Sequence, residues 1–191
     1  IGTDPDADRV GIAAKRPDGD FALISGNQTA ALLTYYLCEQ LTRLGRFPKN
    51  GVVLTTIVTS DLMKTIARGY GAQVEETLTG FKWIAAKLRR YEDQLRAALP
   101  AGFDYGSTPF AQRAKLLLQH STFYVFGTEE SYGYVPNDYL RDKDGNSACL
   151  MFAELCAWVK GRGLTVPEYL DEIYLRYGFF LEGVINLYYE G

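Results

Sequence analysis

Val52-Val53-Leu54-Thr55-Thr56-Ile57-Val58 is a near-continuous run of β-branched and aliphatic residues, with no polar alternation along its length. A strand exposed on one face would alternate, so this run reads as a strand buried on both faces, as in a parallel sheet sandwiched by helices. The next twenty residues fit that reading. Ser60 or Asp61 is placed to cap a helix that runs through Tyr70, Gly71 stops it, and Gln73 to Thr77 reads as a second short strand.

The same alternation extends both ways. Upstream, Val10 to Lys15 and Phe21 to Ile24 read as strands joined by the turn Arg16-Pro17-Asp18-Gly19-Asp20. Gly26-Asn27 then opens a helix with Leu33, Tyr36, Leu37, Leu41 and Leu44 at helical spacing, and Gly45 and Pro48 end it. Downstream, Thr79-Gly80 begins a long helix with Phe81, Ile84, Ala85, Leu88, Tyr91 and Leu95 on one side. The Pro/Gly-containing stretch from Leu99 to Gln112 reads as a loop or a short inserted element. Thr122 to Phe126 is a further strand, Asn146 to Lys160 a helix, and Thr165 caps another with Pro167 in its first turn. The aromatic tail from Gly178 to Tyr189 reads as strand-like. Strands alternating with helices predict an α/β class fold, a three-layer α/β/α domain with a small mixed, mostly parallel sheet. Ligands in such folds gather at the carboxyl ends of the strands, so polar clusters distant in sequence can meet there.

Composition narrows the function. The chain has 191 residues, 47% hydrophobic and 23% charged, which suits one large domain with a substantial core. A net charge of −3 gives no reason to expect a nucleic-acid partner. No run approaches the length of a membrane span, so a membrane partner finds no support. Cys38, Cys149 and Cys156 fall in apolar helical contexts and read as reduced core residues of a cytoplasmic protein. His120 is the only histidine and sits in a connector, which leaves a histidine metal site without its ligands.

Four segments carry chemistry. Asp4-Pro5-Asp6-Ala7-Asp8-Arg9 alternates three carboxylates and ends on an arginine. Alternation points them from one tight loop toward a common centre, which suits a hard divalent cation, and Arg9 adds a planar cation for an anion held there. An EF-hand is excluded, because its sixth and twelfth positions fall on Arg9 and Lys15. A phosphatase-type loop with Asp4 as nucleophile is a further reading, and a solvated acidic turn the plainest one. Gly127-Thr128-Glu129-Glu130-Ser131-Tyr132-Gly133 puts carboxylates and a hydroxyl at a strand end, a clamp for vicinal sugar hydroxyls or else an exposed turn. Thr79-Gly80-Phe81-Lys82 sets helix-start amides beside a lysine, a feature shared with many helices. Arg141-Asp142-Lys143-Asp144-Gly145 mixes cations and acids before a helix, by default a solvated charge cluster. Taken together, they are the equipment of an enzyme acting on a phosphorylated sugar.

On these segments the sequence resembles the phosphohexomutases, the phosphoglucomutase and phosphomannomutase superfamily, in order, spacing and over essentially the whole chain. The resemblance implies a four-domain enzyme that moves a phosphoryl group between the 1 and 6 positions of a hexose phosphate, through a phosphoserine and a hexose 1,6-bisphosphate. Carried over by motif, Asp4, Asp6 and Asp8 would bind Mg²⁺, and Arg9 would lie near the transferring group. Glu129 and Ser131 would bind sugar hydroxyls, while Thr79, Gly80 and Lys82 line the same cleft. Lys143 would transfer a proton or contact phosphate. Residues 1–9 would be the metal loop from the end of domain 2, 10–163 domain 3, and 164–191 a connector toward domain 4. The family's phosphoserine loop and C-terminal phosphate loop have no counterpart in these 191 residues. The expected partners are therefore a hexose phosphate and domains 1, 2 and 4. The chain alone is expected to be inactive, with a mobile acidic loop that binds Mg²⁺ weakly. The stretch from about Leu99 to His120 is longer than in many relatives, and its role is open. A self-sufficient sugar-phosphate binding module is the alternative from outside enzymology.

Overall fold

The computed structural model describes residues 1–183, 185 and 187–189. Its central sheet has four strands in the order β5-β4-β6-β7, made of β4 (Gly51–Thr56), β5 (Gln73–Thr77), β6 (Phe123–Glu129) and β7 (Gly133–Val135). β4 pairs in parallel with both β5 and β6, and only the edge pair β6–β7 is antiparallel. The mixed, mostly parallel sheet expected from the sequence is therefore present.

β4 shows why. All six of its residues are buried, and successive side chains point to opposite faces of the sheet. Val53 enters the larger core beneath α1 (Gly26–Arg43), α2 (Asp61–Gly69), α5 (Gly145–Gly161) and α6 (Val166–Tyr177). Val52 and Leu54 enter a second core with Phe81, Ile84, Leu88 and Tyr91 of α3 (Phe81–Ala98). Apolar residues on both faces require a helical layer on each, which gives the three-layer α/β/α arrangement.

The caps expected at Ser60 and Thr165 are present, Thr165 in a capping box with Glu168, and α1 opens on a further, unexpected capping box of Ser25 with Gln28. The strand at 52–58 ends earlier than expected. Ile57 and Val58 lie beyond β4, 58% and 54% exposed, because the chain turns after Thr56, whose hydroxyl bonds to that of Thr59 at 2.8 Å.

The 99–120 stretch is a loop followed by a helix, α4 (Phe110–His120). It builds a third small core from Leu95, Tyr105 and Leu117, and Asn50 holds the end of α4 by donating to the carbonyls of Leu117 and Ser121 at 3.0 and 2.6 Å. The tail departs most from expectation. The described residues of 178–189 form no strand, and Val184 and Asn186 lie outside the described residues. A strand needs a ladder partner, whereas here Phe179 packs its ring 4.9 Å from that of Tyr174. No helix among the described residues is long and apolar enough to cross a membrane.

Before this domain comes a small antiparallel sheet, β1 (Gly2–Thr3), β2 (Val10–Lys15) and β3 (Phe21–Ile24). Val10, Ile12 and Ile24 join the main core, as do Tyr169 and Ile173 of α6. The acidic segment is the connection between β1 and β2. Its ends are thus anchored by a ladder and a core.

Candidate active site

The acidic connection bends at Ala7, whose amide donates to the carbonyl of Asp4 at 3.0 Å and whose φ is 56°. A left-handed residue there folds the alternation inward, and one carboxylate oxygen from each of Asp4, Asp6 and Asp8 lies within 4.8 Å of the others. Arg9 closes the loop: its amide donates to Asp4 Oδ1 at 3.0 Å and its Nε to Asp4 Oδ2 at 2.7 Å. These bonds, the amide's first among them, hold the Asp4 carboxyl below the usual carboxylate range.

Asp8 bridges to a distant segment. Its Oδ2 is 2.8 Å from Lys143 Nζ, which also donates to Asp142 Oδ1 at 3.0 Å. Burial opposes the charge on Lys143, but its hydrogen bonds to Asp8 and Asp142 outweigh that, and its pKa is raised. Asp8 Oδ1 is buried without a hydrogen-bond partner, 3.5 Å from Arg9 Nε. Three converging carboxylates with one buried oxygen left unmatched fit a hard divalent cation such as Mg²⁺.

Two glycines bring the segments together. The amide of Gly145, the first residue of α5, donates to the Ala7 carbonyl at 3.1 Å. A Cβ at Gly145 would stand 2.4 Å from that oxygen. Gly133 begins β7, bridges to Arg9, and lies so close to Lys143 that a Cβ would meet its Cδ at 2.6 Å. The acidic loop, the Glu-Glu-Ser hairpin and the Asp142–Gly145 corner are therefore packed against one another at the carboxyl end of the sheet.

The Glu-Glu-Ser segment is a hairpin turn rather than an open loop. Gly127 to Glu129 belong to β6, Gly133 starts β7, and Tyr132 turns the chain with φ 67°. The two glutamates diverge. Glu130 accepts from Thr56 and Thr59 at 3.0 and 3.3 Å and so ties the hairpin to the end of β4. Glu129 is 4% exposed and accepts from the Gly80 amide at 2.5 Å. Burial pushes its pKa up, the Gly80 bond and Lys143 oppose the rise, and the charge of Glu130 adds to it.

That raised pKa predicts a stability effect. The folded protein holds the Glu129 proton more tightly than the unfolded chain, so the buried charge destabilises it once pH rises above the unfolded value near 4.5. Glu129→Gln keeps the acceptor for Gly80 and removes the charge. It should raise the thermal midpoint at pH 7 by roughly 2–4 °C, the equivalent of about 1 kcal/mol in a chain of this size. The gain should vanish as pH falls below that value. Calorimetry at pH 7 and pH 4 reads both.

Of the residues singled out in the sequence, Asp4, Asp6, Asp8, Arg9 and Lys143 form one cluster, and Glu129 and Gly80 meet each other. Ser131 is exposed on the turn. Thr79 and Lys82 are exposed, with the Lys82 ammonium 5.2 Å above the Trp83 ring, so the structure does not draw either into the charged cluster. The sequence marks Gly26 only as a helix start. Its closeness to the Glu130 carbonyl, which a Cβ would approach to 1.8 Å, has no local sequence signal because the two are remote in the chain.

The family description Phosphoglucomutase/phosphomannomutase, alpha/beta/alpha domain III, matches residues 25–177. This chain belongs to the phosphoglucomutase/phosphomannomutase family. Among curated relatives, human phosphopentomutase is 30% identical over 184 residues, covering 95% of this chain and 26% of the relative. Phosphoglucomutase of Staphylococcus epidermidis (strain ATCC 12228 / FDA PCI 1200) is 30% identical, covering 100% of this chain and 29% of the relative. Mouse glucose 1,6-bisphosphate synthase is 31% identical, covering 95% and 25%. The chain thus spans between a quarter and a third of the length of these relatives. The fold is shared with a crystal structure from Thermus thermophilus assigned as a phosphomannomutase, with a TM-score of 0.58, 23% identity and coverage of 92% of this chain and 30% of that one.

Proposed function

We propose that this chain is the sugar-binding and metal-loop portion of a phosphohexomutase, which moves a phosphoryl group between the 1 and 6 positions of a hexose phosphate through a phosphoserine and a hexose 1,6-bisphosphate. One observation carries the reading: Asp8 is paired with Lys143 at 2.8 Å, while the glycine two residues after Lys143 packs on the carbonyl of Ala7. A solvated acidic turn has no need of such a construction. The family membership and the names of the relatives support the reaction class.

In this reading Asp4, Asp6 and Asp8 hold Mg²⁺, which neutralises negative charge on the transferring phosphoryl group. Arg9, bound through Nε and 55% exposed along its side chain, turns its remaining guanidinium donors toward the phosphate. Lys143, kept protonated by its two carboxylates, supplies positive charge beside the metal and donates rather than removes a proton. Glu129 and Ser131 take sugar hydroxyls, and Glu129 is already poised by the Gly80 amide. Thr79, Gly80 and Lys82 form the outer wall, where Lys82 meets the non-transferring phosphate. The parent enzyme is soluble and cytoplasmic, and the remaining domains bring the phosphoserine.

A phosphatase with Asp4 as nucleophile would instead release inorganic phosphate with Mg²⁺, and an unchanged rate in Asp4→Asn would count against it.

The chain by itself should not convert glucose 1-phosphate to glucose 6-phosphate with Mg²⁺ and glucose 1,6-bisphosphate present. A coupled assay on protein cleared of host mutase checks this. Turnover that persists through purification and falls with Asp8→Asn would overturn the division of labour proposed here. Calorimetry with millimolar hexose phosphate separates the remaining alternative, since a self-sufficient binding module would give heat where the mutase fragment gives none.

A further inference from the structure

A second cavity, of about 300 Å³, lies at the other end of β6 from Glu129. Phe123 to Val125 at the start of the strand form its floor. Glu129 lies four to six steps further along the chain, roughly 13–20 Å of strand. Leu37 and Leu41 of α1 make one wall, Ala114 and Leu117 of α4 the other, and Pro136 to Tyr139 close it after β7. Phe110 and Tyr139 stand at the mouth, 48% and 55% exposed, with their rings 5.9 Å apart edge to face.

Asp138 is the only charged group in this lining. Among the described residues no side-chain donor is hydrogen-bonded to its carboxylate. Of the two arginines whose charge reaches it, Arg141 is paired with Glu92, and Arg113 lies 5.3 Å from the Tyr105 ring with its Nε buried and without a hydrogen-bond partner. Burial pushes the Asp138 carboxyl up, against the charge of Arg141, a hydrogen bond from its own backbone amide and the charge of Arg113. A largely apolar cavity with one half-buried carboxylate that no side-chain donor engages is a ligand site by its chemistry. Its volume suits a single ring with a short chain.

We propose that this cavity binds a small amphiphile with a ring-sized apolar body and a hydrogen-bond-donating, protonated amine head, the amine meeting Asp138. The same segment reaches the acidic cleft. The Asn137 amide donates to Asp144 Oδ2 at 3.5 Å and to Ser147 Oγ at 3.4 Å. Asp144 caps α5 and lies between Lys143 and Gly145. Occupancy would thus be felt at Lys143, a consequence that rests on the mutase reading, whereas the binding itself does not.

The test titrates the full chain with phenethylamine and, separately, with 3-phenylpropionate, followed by two-dimensional amide and methyl NMR. Phenethylamine should shift Leu37, Leu41, Ala114 and Leu117, and bind about tenfold or more tightly than the carboxylate. Asp138→Asn should weaken the amine by roughly tenfold and leave the carboxylate bound as well as before or better. Ala114→Phe, which fills the cavity, should abolish the shifts in a protein that melts as wild type. Equal binding of the two probes, shifts confined to other surfaces, or no shift at 10 mM amine would overturn the assignment. Mutase activity plays no part in these readouts, so failure here is distinct from failure of the proposed function.

Discussion

Gly26→Ala should destabilise the fold by about 3 kcal/mol, because its Cβ would make the closest approach of any added at the described glycines. In an ordinary helix this substitution is favourable, because alanine is the better helix former by about 1 kcal/mol. Here the new carbon would fall 1.8 Å from the Glu130 carbonyl oxygen and 2.8 Å from its carbon, and both are backbone atoms. Neither can rotate away. Relief requires α1 to retreat from the hairpin, which breaks the bond from Tyr134 to the Gly26 carbonyl, 3.1 Å long and buried. The thermal midpoint should fall by roughly 6–12 °C. Gly161→Ala, in α5 with open space around it, is the control and should be neutral or stabilising. If Gly26→Ala melts with Gly161→Ala, the hairpin does not rest on the start of α1.

The second large effect concerns the acidic cluster. Asp8→Asn should weaken divalent-cation binding by about tenfold or more, since it removes one of three charged ligands from the set. It also strips Lys143 of its partner at 2.8 Å and leaves that ammonium with Asp142 alone. Stability should change far less than affinity: a metal-free melting curve within a few degrees of wild type, beside a lost Mg²⁺ titration, separates a ligand from a structural ion pair. Asp18→Asn, in the distant turn between β2 and β3, should leave cation binding unchanged.

These two positions differ in how far the sequence revealed them. The fold was legible wherever one signal sufficed locally. β4 announces its two buried faces by its composition, and Ser60 and Thr165 announce helix starts by their side chains. The ends of strands were less legible, because Ile57 and Val58 have strand-forming side chains, yet past the bond from the Ile57 amide to the Thr77 carbonyl the chain turns out of the ladder. The aromatic tail misled in the same way. At the site, residue types and spacing marked the Asp4–Arg9 loop, the Glu-Glu-Ser segment and the Arg141–Gly145 segment, which the fold then groups, while the choice of Glu129 and Lys143 within them came from the family resemblance. What the sequence could not convey is the joinery. The contact of Gly145 with Ala7 and of Gly26 with Glu130 crosses more than a hundred residues, and it depends on backbone atoms that every residue possesses. Nor could spacing separate the two adjacent glutamates, one bound to Gly80 and the other to Thr56 and Thr59.

The metal-loop assignment is tested most directly by a map of where a paramagnetic divalent cation sits. Substoichiometric Mn²⁺ added to the isotope-labelled chain broadens amides near its binding site even when affinity is low. Signal should be lost first at residues 4–9, then at Gly133 and at Lys143 to Gly145, with recovery on adding excess Mg²⁺ and much weaker broadening at the same Mn²⁺ concentration in Asp8→Asn. Broadening that spares Lys143 to Gly145, or that centres on other acidic residues and ignores Asp8→Asn, would contradict the assignment.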